Sequence, residues 1–222
     1  MNEAFTWLSK ASNWSGSAGI ASRLIEHIEY TLLAMAISML IALPIGVWLG
    51  HRRRGSLVVI GLANLARALP TLGLLILVYV LSGAATWAWL VPLVALAAPP
   101  IMVNAYEGVL GVDADLKDAA VGMGMKPRQV LFKVEVPVAM PLILLGLRTA
   151  AIQVVATATI AAYISLGGFG RYIIDGLATS NYQLVAAGAA CVVVLALVVQ
   201  FAFSGLARAT VSAGIRNQAR QS

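Results

Sequence analysis

The residues of this chain that could do chemistry are few, and they do not assemble into a catalytic set. No Asp, Glu or His falls in the interior of its long apolar runs, where an intramembrane enzyme or an ion-coupled carrier would need one. The one cysteine, Cys191, has no companion for a disulfide or a metal and reads as packing. A Gly-x-x-x-x-Gly-Lys-Ser/Thr run is absent, so any ATP must be hydrolysed by another chain. What remains are groups suited to gating, docking or packing. Gln153, Thr157 and Thr159 sit among alanines and, with Tyr163, are candidates for a weakly polar pathway. The same threonines could instead satisfy backbone carbonyls. Arg67 and Arg148 are the basic residues placed within apolar runs, candidates for inner-gate or interface charges that could also snorkel to a membrane surface. Tyr79, Tyr163, Phe169 and Tyr172 offer ring faces to a cation, but scattered aromatics are more simply packing, and no cage is assigned.

The elements that must position these groups follow from composition. Of 222 residues, 60% are hydrophobic and 11% charged, with a mean hydropathy of +0.89. Soluble domains carry about 25% charge, so lipid must cover much of this chain. The formal charge of +6 does not mark a nucleic-acid partner, because the basic residues cluster beside apolar spans as membrane topology requires. The fold class is all-α, a polytopic membrane protein of one domain.

A spanning helix needs about 20 apolar residues, and five candidates appear: residues 30–50, 57–81, 87–103, 138–166 and 184–206. Arg52–Arg54, Lys117, Lys126, Arg128, Lys133 and the tail arginines Arg208, Arg216 and Arg220 fall on one side. The positive-inside rule puts that side in the cytoplasm and the N-terminus outside. Residues 1–29 carry no signal-peptide pattern and read as an extracytoplasmic segment. Its Gly19–Tyr30 stretch is either an interfacial amphipathic helix or an outward extension of the first span. Residues 104–137 form a cytoplasmic loop and 207–222 a cytoplasmic tail. Outside, only the connections 82–86 and 167–183 remain, with Trp87 and Trp89 at the outer interface.

The 104–137 loop is too long and too patterned for a plain connector. Asp113 and Asp115 precede a short helix over Leu116–Val121, where acidic residues suit the helix dipole. Gly122, Met123 and Gly124 break it. Pro127 fits the first position of a second short helix, Arg128–Val134, which presents Val130, Leu131 and Phe132. Pro137 and Pro141 punctuate the return to the membrane. Apolar knobs on such a surface point to a groove on another protein.

Asp118-Ala119-Ala120, three residues, Gly124, nine residues, then Val134-Glu135-Val136-Pro137 resembles the "EAA" loop of ABC-importer permeases. Asp replaces the leading Glu, and Val replaces both Ile and Leu of that pattern. The resemblance extends through Arg67-Ala68-Leu69-Pro70-Thr71, Pro99-Pro100-Ile101, Gly111-Val112-Asp113, Gly122-Met123-Gly124-Met125 and Gly146-Leu147-Arg148-Thr149-Ala150. With Ala161–Gly170, these segments resemble permeases of osmoprotectant importers, which carry glycine betaine, carnitine, choline or proline. The likeness implies a transport subunit of the bacterial cytoplasmic membrane, not an enzyme. It also implies a coupling loop of Asp118, Ala119, Ala120, Gly122, Gly124, Met125, Val130, Leu131, Phe132 and Pro137 in a cleft of the ATPase. Implied partners are two ATP-binding subunits, a sister permease (identical or not), an extracytoplasmic substrate-binding protein, a small zwitterionic or cationic solute and membrane lipid. No cofactor or metal is expected on this chain; ATP and magnesium would sit on the ATPase. Methionine- or other amino-acid-type ABC permeases share the five-span plan and stand as the alternative, ahead of a self-contained carrier or channel.

Overall fold

The computed structural model describes residues 2–210, apart from the side chains of residues 2–4, 66 and 67. The described chain is helical, without strands. In order run α1 (Asn2–Ser9), a 3-10 turn at Ala11–Asn13, α2 (Ile20–His51), α3 (Ser56–Ala68), α4 (Thr71–Leu81) and α5 (Leu90–Leu110). Then follow α6 (Ala114–Gly122), α7 (Pro127–Val130), a π turn (Leu131–Glu135), α8 (Val136–Thr157), a 3-10 segment (Ala158–Ile164), α9 (Gly170–Ala178) and α10 (Tyr182–Thr210). Among the described residues, α2, α5, the unbroken stretch Pro127–Ile164 and α10 are long and apolar enough to cross a bilayer.

Several boundaries differ from expectation, each for a local reason. Of the two readings of Gly19–Tyr30, the structure shows the outward extension of the first span and not a separate interfacial helix, because α2 runs unbroken from Ile20. The helix therefore carries Glu26, His27 and Glu29 near its N-terminus, ahead of the apolar run 30–50. The expected span 57–81 is two shorter helices. Leu69 precedes Pro70, whose ring disfavours helical geometry at the residue before it, and Pro70 caps α4 in an extended conformation. Arg67 lies in α3 beside this break, and its side chain is outside the described residues. Pro44, Pro99, Pro100 and Pro141 lie inside helices without ending them, as neighbouring helices in a membrane allow. The outer connection 167–183 holds α9. Of the tail expected over 207–222, α10 takes residues up to Thr210; Arg216 and Arg220 are outside the described residues.

Two compact units share the long helices. One comprises, of the described residues, 2–37, Leu69–Leu96 and Ala151–Val199. Its core gathers Ile20, Val155, Phe169, Tyr172 and Leu195, so two of the four candidate ring faces are spent on packing. The Tyr172 hydroxyl donates to the Ala18 carbonyl at 2.7 Å, and burial pushes this phenol up to about 12. One face of α2 binds three successive amides of the Gly167–Phe169 turn. Gly167 N–H donates to Tyr30 Oη (3.3 Å), Gly168 N–H to Glu26 Oε2 (2.7 Å) and Phe169 N–H to His27 Nδ1 (3.3 Å). The fully buried His27 thus keeps its other nitrogen, Nε2, to donate to Val155 O at 2.9 Å. Gly168 has φ +78°, and a side chain on Gly167 would overlap the Glu26 carboxylate. Trp89, expected at the outer interface, is buried against Tyr30 with ring centroids 4.8 Å apart, whereas Trp87 is exposed.

The other unit comprises, of the described residues, Ser38–Ala68, Ala97–Ala150 and 200–210. Here α2 and α5 touch backbone to backbone. A Cβ on Gly46 would lie 2.5 Å from Met102 O, and one on Gly50 would lie 2.7 Å from Tyr106 O. The two glycines are one turn apart, the Gly-x-x-x-Gly spacing that permits close helix approach in membranes. Gly146 of α8 sits equally close to α5, with its virtual Cβ 2.7 Å from both Pro100 O and Asn104 Cβ.

Candidate functional site

The segment between α5 and α8 is where sequence and structure meet most closely. Asp113 caps α6, its Oδ1 accepting from Asp115 N–H at 3.0 Å. Asp115 in the first turn adds a favourable dipole interaction. The helix ends at Met123 and Gly124, where Gly124 takes φ +80° and Met125 N–H donates back to Ala120 O at 3.2 Å. That is a C-terminal cap closed through a left-handed glycine. The helix expected over Leu116–Val121 is therefore present and slightly longer.

The loop is shorter than 104–137, because α5 continues to Leu110 and helix resumes at Pro127. Pro127 opens α7 as expected, and Gln129 Oε1 accepts from Lys126 N–H at 2.8 Å. A separate second surface helix is not formed. α7 runs through the π turn into α8, so Pro137 and Pro141 lie within continuous helix. Val136 N–H donates to Leu131 O, five residues back. Pro137 has no N–H to offer the next carbonyl, which marks where the ladder is displaced.

Exposure sorts the residues that the resemblance assigns to a coupling loop. Asp118, Ala119, Gly122, Gly124 and Pro137 are exposed, Met125 and Leu131 half-buried, and Ala120 and Val130 buried. Of the three expected knobs, only Phe132 projects fully, at 64% exposure. Leu116, Val121 and Met123 of the α6 region are also exposed, giving this surface apolar area that the 128–134 reading had placed elsewhere.

A buried carboxylate lies beneath it. Glu135 is 2% exposed; its Oε2 accepts from His51 Nδ1 at 2.6 Å and its Oε1 from Lys117 Nζ at 2.9 Å. Lys117 Nζ also donates to Val109 O at 3.4 Å. Sequence reasoning missed this cluster, although Glu135 stood inside the quoted motif. The usable signal was an acidic residue flanked by valines at the mouth of an apolar run.

The pathway candidates lie on the α8 end and the 3-10 segment of the first unit. Thr157 Oγ1 donates to Gln153 O, and Thr159 Oγ1 to Ala156 O at 2.9 Å. Both hydroxyls are spent on backbone carbonyls, the plainer of the two readings of these residues. Gln153 is half-buried, Tyr163 is 52% exposed and Arg148 of α8 is half-buried. Among the described residues no cluster of His, Cys, Asp and Glu could hold a metal ion.

Residues 42–212 match the family of binding-protein-dependent transport system inner membrane components. The choline transport system permease protein OpuBB of Bacillus subtilis is 34% identical over 86% of this chain and 88% of its own length. The glycine betaine/carnitine/choline permease OpuCB of the same organism is 32% identical over the same shares. The carnitine transport permease OpuCB of Listeria monocytogenes is 35% identical over 82% and 83%. Among solved structures, a chain of the inward-facing MetNI methionine ABC transporter superposes with a TM-score of 0.73. It is 24% identical, with 87% of this chain and 96% of that chain covered, a likeness of fold. This chain belongs to the binding-protein-dependent transport system inner membrane component family. It is a multi-pass cell-membrane transport subunit of an ABC importer, a class of system that also contains an ATPase and a substrate-binding protein.

Proposed function

We propose that the chain forms the translocation pathway for a compatible solute with a quaternary ammonium group, of the choline, glycine betaine or carnitine type. The relatives support this substrate class, since the permeases named for those solutes share about a third of its residues across most of its length. The observation that carries the coupling role is α6: a capped, exposed helix bearing Asp118 and Ala119 and closed by the left-handed Gly124. In this reading α6 sits in a cleft of the ATPase. The N-terminus lies outside and the C-terminus in the cytoplasm. The chain pairs with a sister permease, and each permease engages one of two ATPase copies, which bind ATP and magnesium. Solute arrives on a binding protein at the outer segments 82–86 and 167–183. ATP-driven closure then pulls on α6 and tilts the spans between inward- and outward-facing states. A pull moves the spans only if the ATPase holds α6 differently in its two states.

A photo-crosslinking side chain introduced at Ala119 tests the dock in membranes holding the assembled importer. It should capture the ATPase, whereas the same group at Ser82 should not. Capture of lipid alone from position 119, or equal capture from Ser82, contradicts the reading.

A further inference from the structure

α6 is joined to its chain neighbours by two short turns, 111–113 and 123–126, and the second swings through a left-handed glycine. Turns of that kind pass a pull along the chain, and α6 otherwise rests on the small buried Ala120 against α7 and the π turn. Something else must fix its attitude if a movement of α6 is to become a movement of the spans.

We infer that Glu135 is a positioning residue for energy coupling: through Lys117 it makes α6 and the ends of α2, α5 and α8 move as one body. The inference rests on α6 being the ATPase dock. Glu135 sits in the π turn that opens α8, His51 is the last residue of α2, and Val109 is in the last turn of α5. Lys117 projects from α6 and is only 14% exposed at its side chain. Its ammonium meets both the Glu135 carboxylate at 2.9 Å and the Val109 carbonyl at 3.4 Å. That carbonyl belongs to the negative end of a helix dipole, which adds to the attraction. The second carboxylate oxygen takes His51 at 2.6 Å. Four helical elements are thus tied together through Glu135 and Lys117. Drawing α6 away from the others would leave Oε1 of a buried carboxylate without its partner, which is costlier than stretching a solvent-exposed pair. The contact therefore yields late under load, as a transmitting contact must. A group needed only for packing would not have to be charged, since apolar residues of similar volume often replace buried ion pairs without loss of stability.

The test uses the complete importer, with its ATPase and binding protein, in proteoliposomes, and reads ATP hydrolysed per solute taken up. Glu135→Gln keeps the side-chain shape and an acceptor for Lys117 but removes the charge. It should leave the complex assembled and raise ATP consumed per solute by about tenfold, within the range of typical coupling energies. Lys117→Met should do the same, Lys117→Arg should largely preserve the ratio, and Lys117→Met with Glu135→Gln should be no worse than either alone, because the pair acts as a unit. An unchanged ratio in Glu135→Gln, or multiplied losses in the double variant, overturns the inference. So does failure of both single variants to assemble, which would make the cluster a folding requirement. Crosslinking from Ala119 in the wild-type importer separates the two claims: its absence removes the dock itself, whereas its presence with an unchanged ratio removes only the role of Glu135.

Discussion

At Gly124 the backbone takes φ +80°, yet a Cβ built there would meet nothing within 4 Å. Conformation, not crowding, therefore reserves the position for glycine. A β-branched residue costs about 1–2 kcal/mol in the left-handed region, whereas Asn tolerates it. Gly124→Val should consequently loosen the end of α6 and raise ATP consumed per solute, and Gly124→Asn should stay close to wild type; paired hydrolysis and uptake assays read both. Equal behaviour of the two variants would mean that the turn's shape is not what matters. This residue was legible in the sequence, because a glycine after a short capped helix has a local cause. Glu135 was not. Its burial depends on His51, 84 residues away in the chain, and no local pattern announces such a partner. His27 was missed for a related reason: its polar neighbours Arg23, Glu26 and Glu29 read as a segment outside the membrane, and only the Gly167–Phe169 turn shows why Glu26, His27 and Tyr30 share one face of α2. The left-handed Gly168 was visible as a glycine-rich run, but not the side chains its amides would meet.

The elements themselves were mostly legible because apolar length and proline position are local signals. Residues 30–50, 87–103, 138–166 and 184–206 each fall largely within α2, α5, the Pro127–Ile164 stretch and α10. The third span's boundary failed where helix continued into polar sequence as far as Leu110, whereas the helix start at Ile20 matches one of the two readings of Gly19–Tyr30. The second span failed where Pro70 divided an apolar run that composition alone joins. The close approach of α2 to α5 lay in plain view as Gly46 and Gly50, but small-residue spacing becomes evidence only once the facing carbonyls are known. Gly46→Leu or Gly50→Leu would force the two helices apart, with overpacking typically costing about 1–3 kcal/mol. Both variants should melt at lower temperature in detergent than the parent protein and accumulate poorly in membranes, whereas Gly61→Leu, where a Cβ meets nothing within 4 Å, should do neither. A melting temperature unaffected by Gly46→Leu would show that the two backbones are not in contact.

At the scale of the whole molecule, composition alone placed the chain in a membrane, and the matched loop spacing placed it among ABC-importer permeases. Family membership bears out that placement. Fold and substrate class rest on different evidence. The methionine transporter shares the architecture at 24% identity, while the permeases named for choline, glycine betaine and carnitine share more of the sequence. A fold common to importers of different solutes says little about cargo, and among the described residues the spans show no assembled site that would. The central claim is therefore tested most directly by transport. The chain, reconstituted with its ATPase and binding protein in proteoliposomes, is supplied with radiolabelled choline, glycine betaine, carnitine and methionine. The account predicts uptake of at least one quaternary ammonium solute that requires both ATP and the binding protein, with methionine left outside. Uptake by this chain alone without ATP, or ATP-driven uptake of methionine and none of the others, would contradict it.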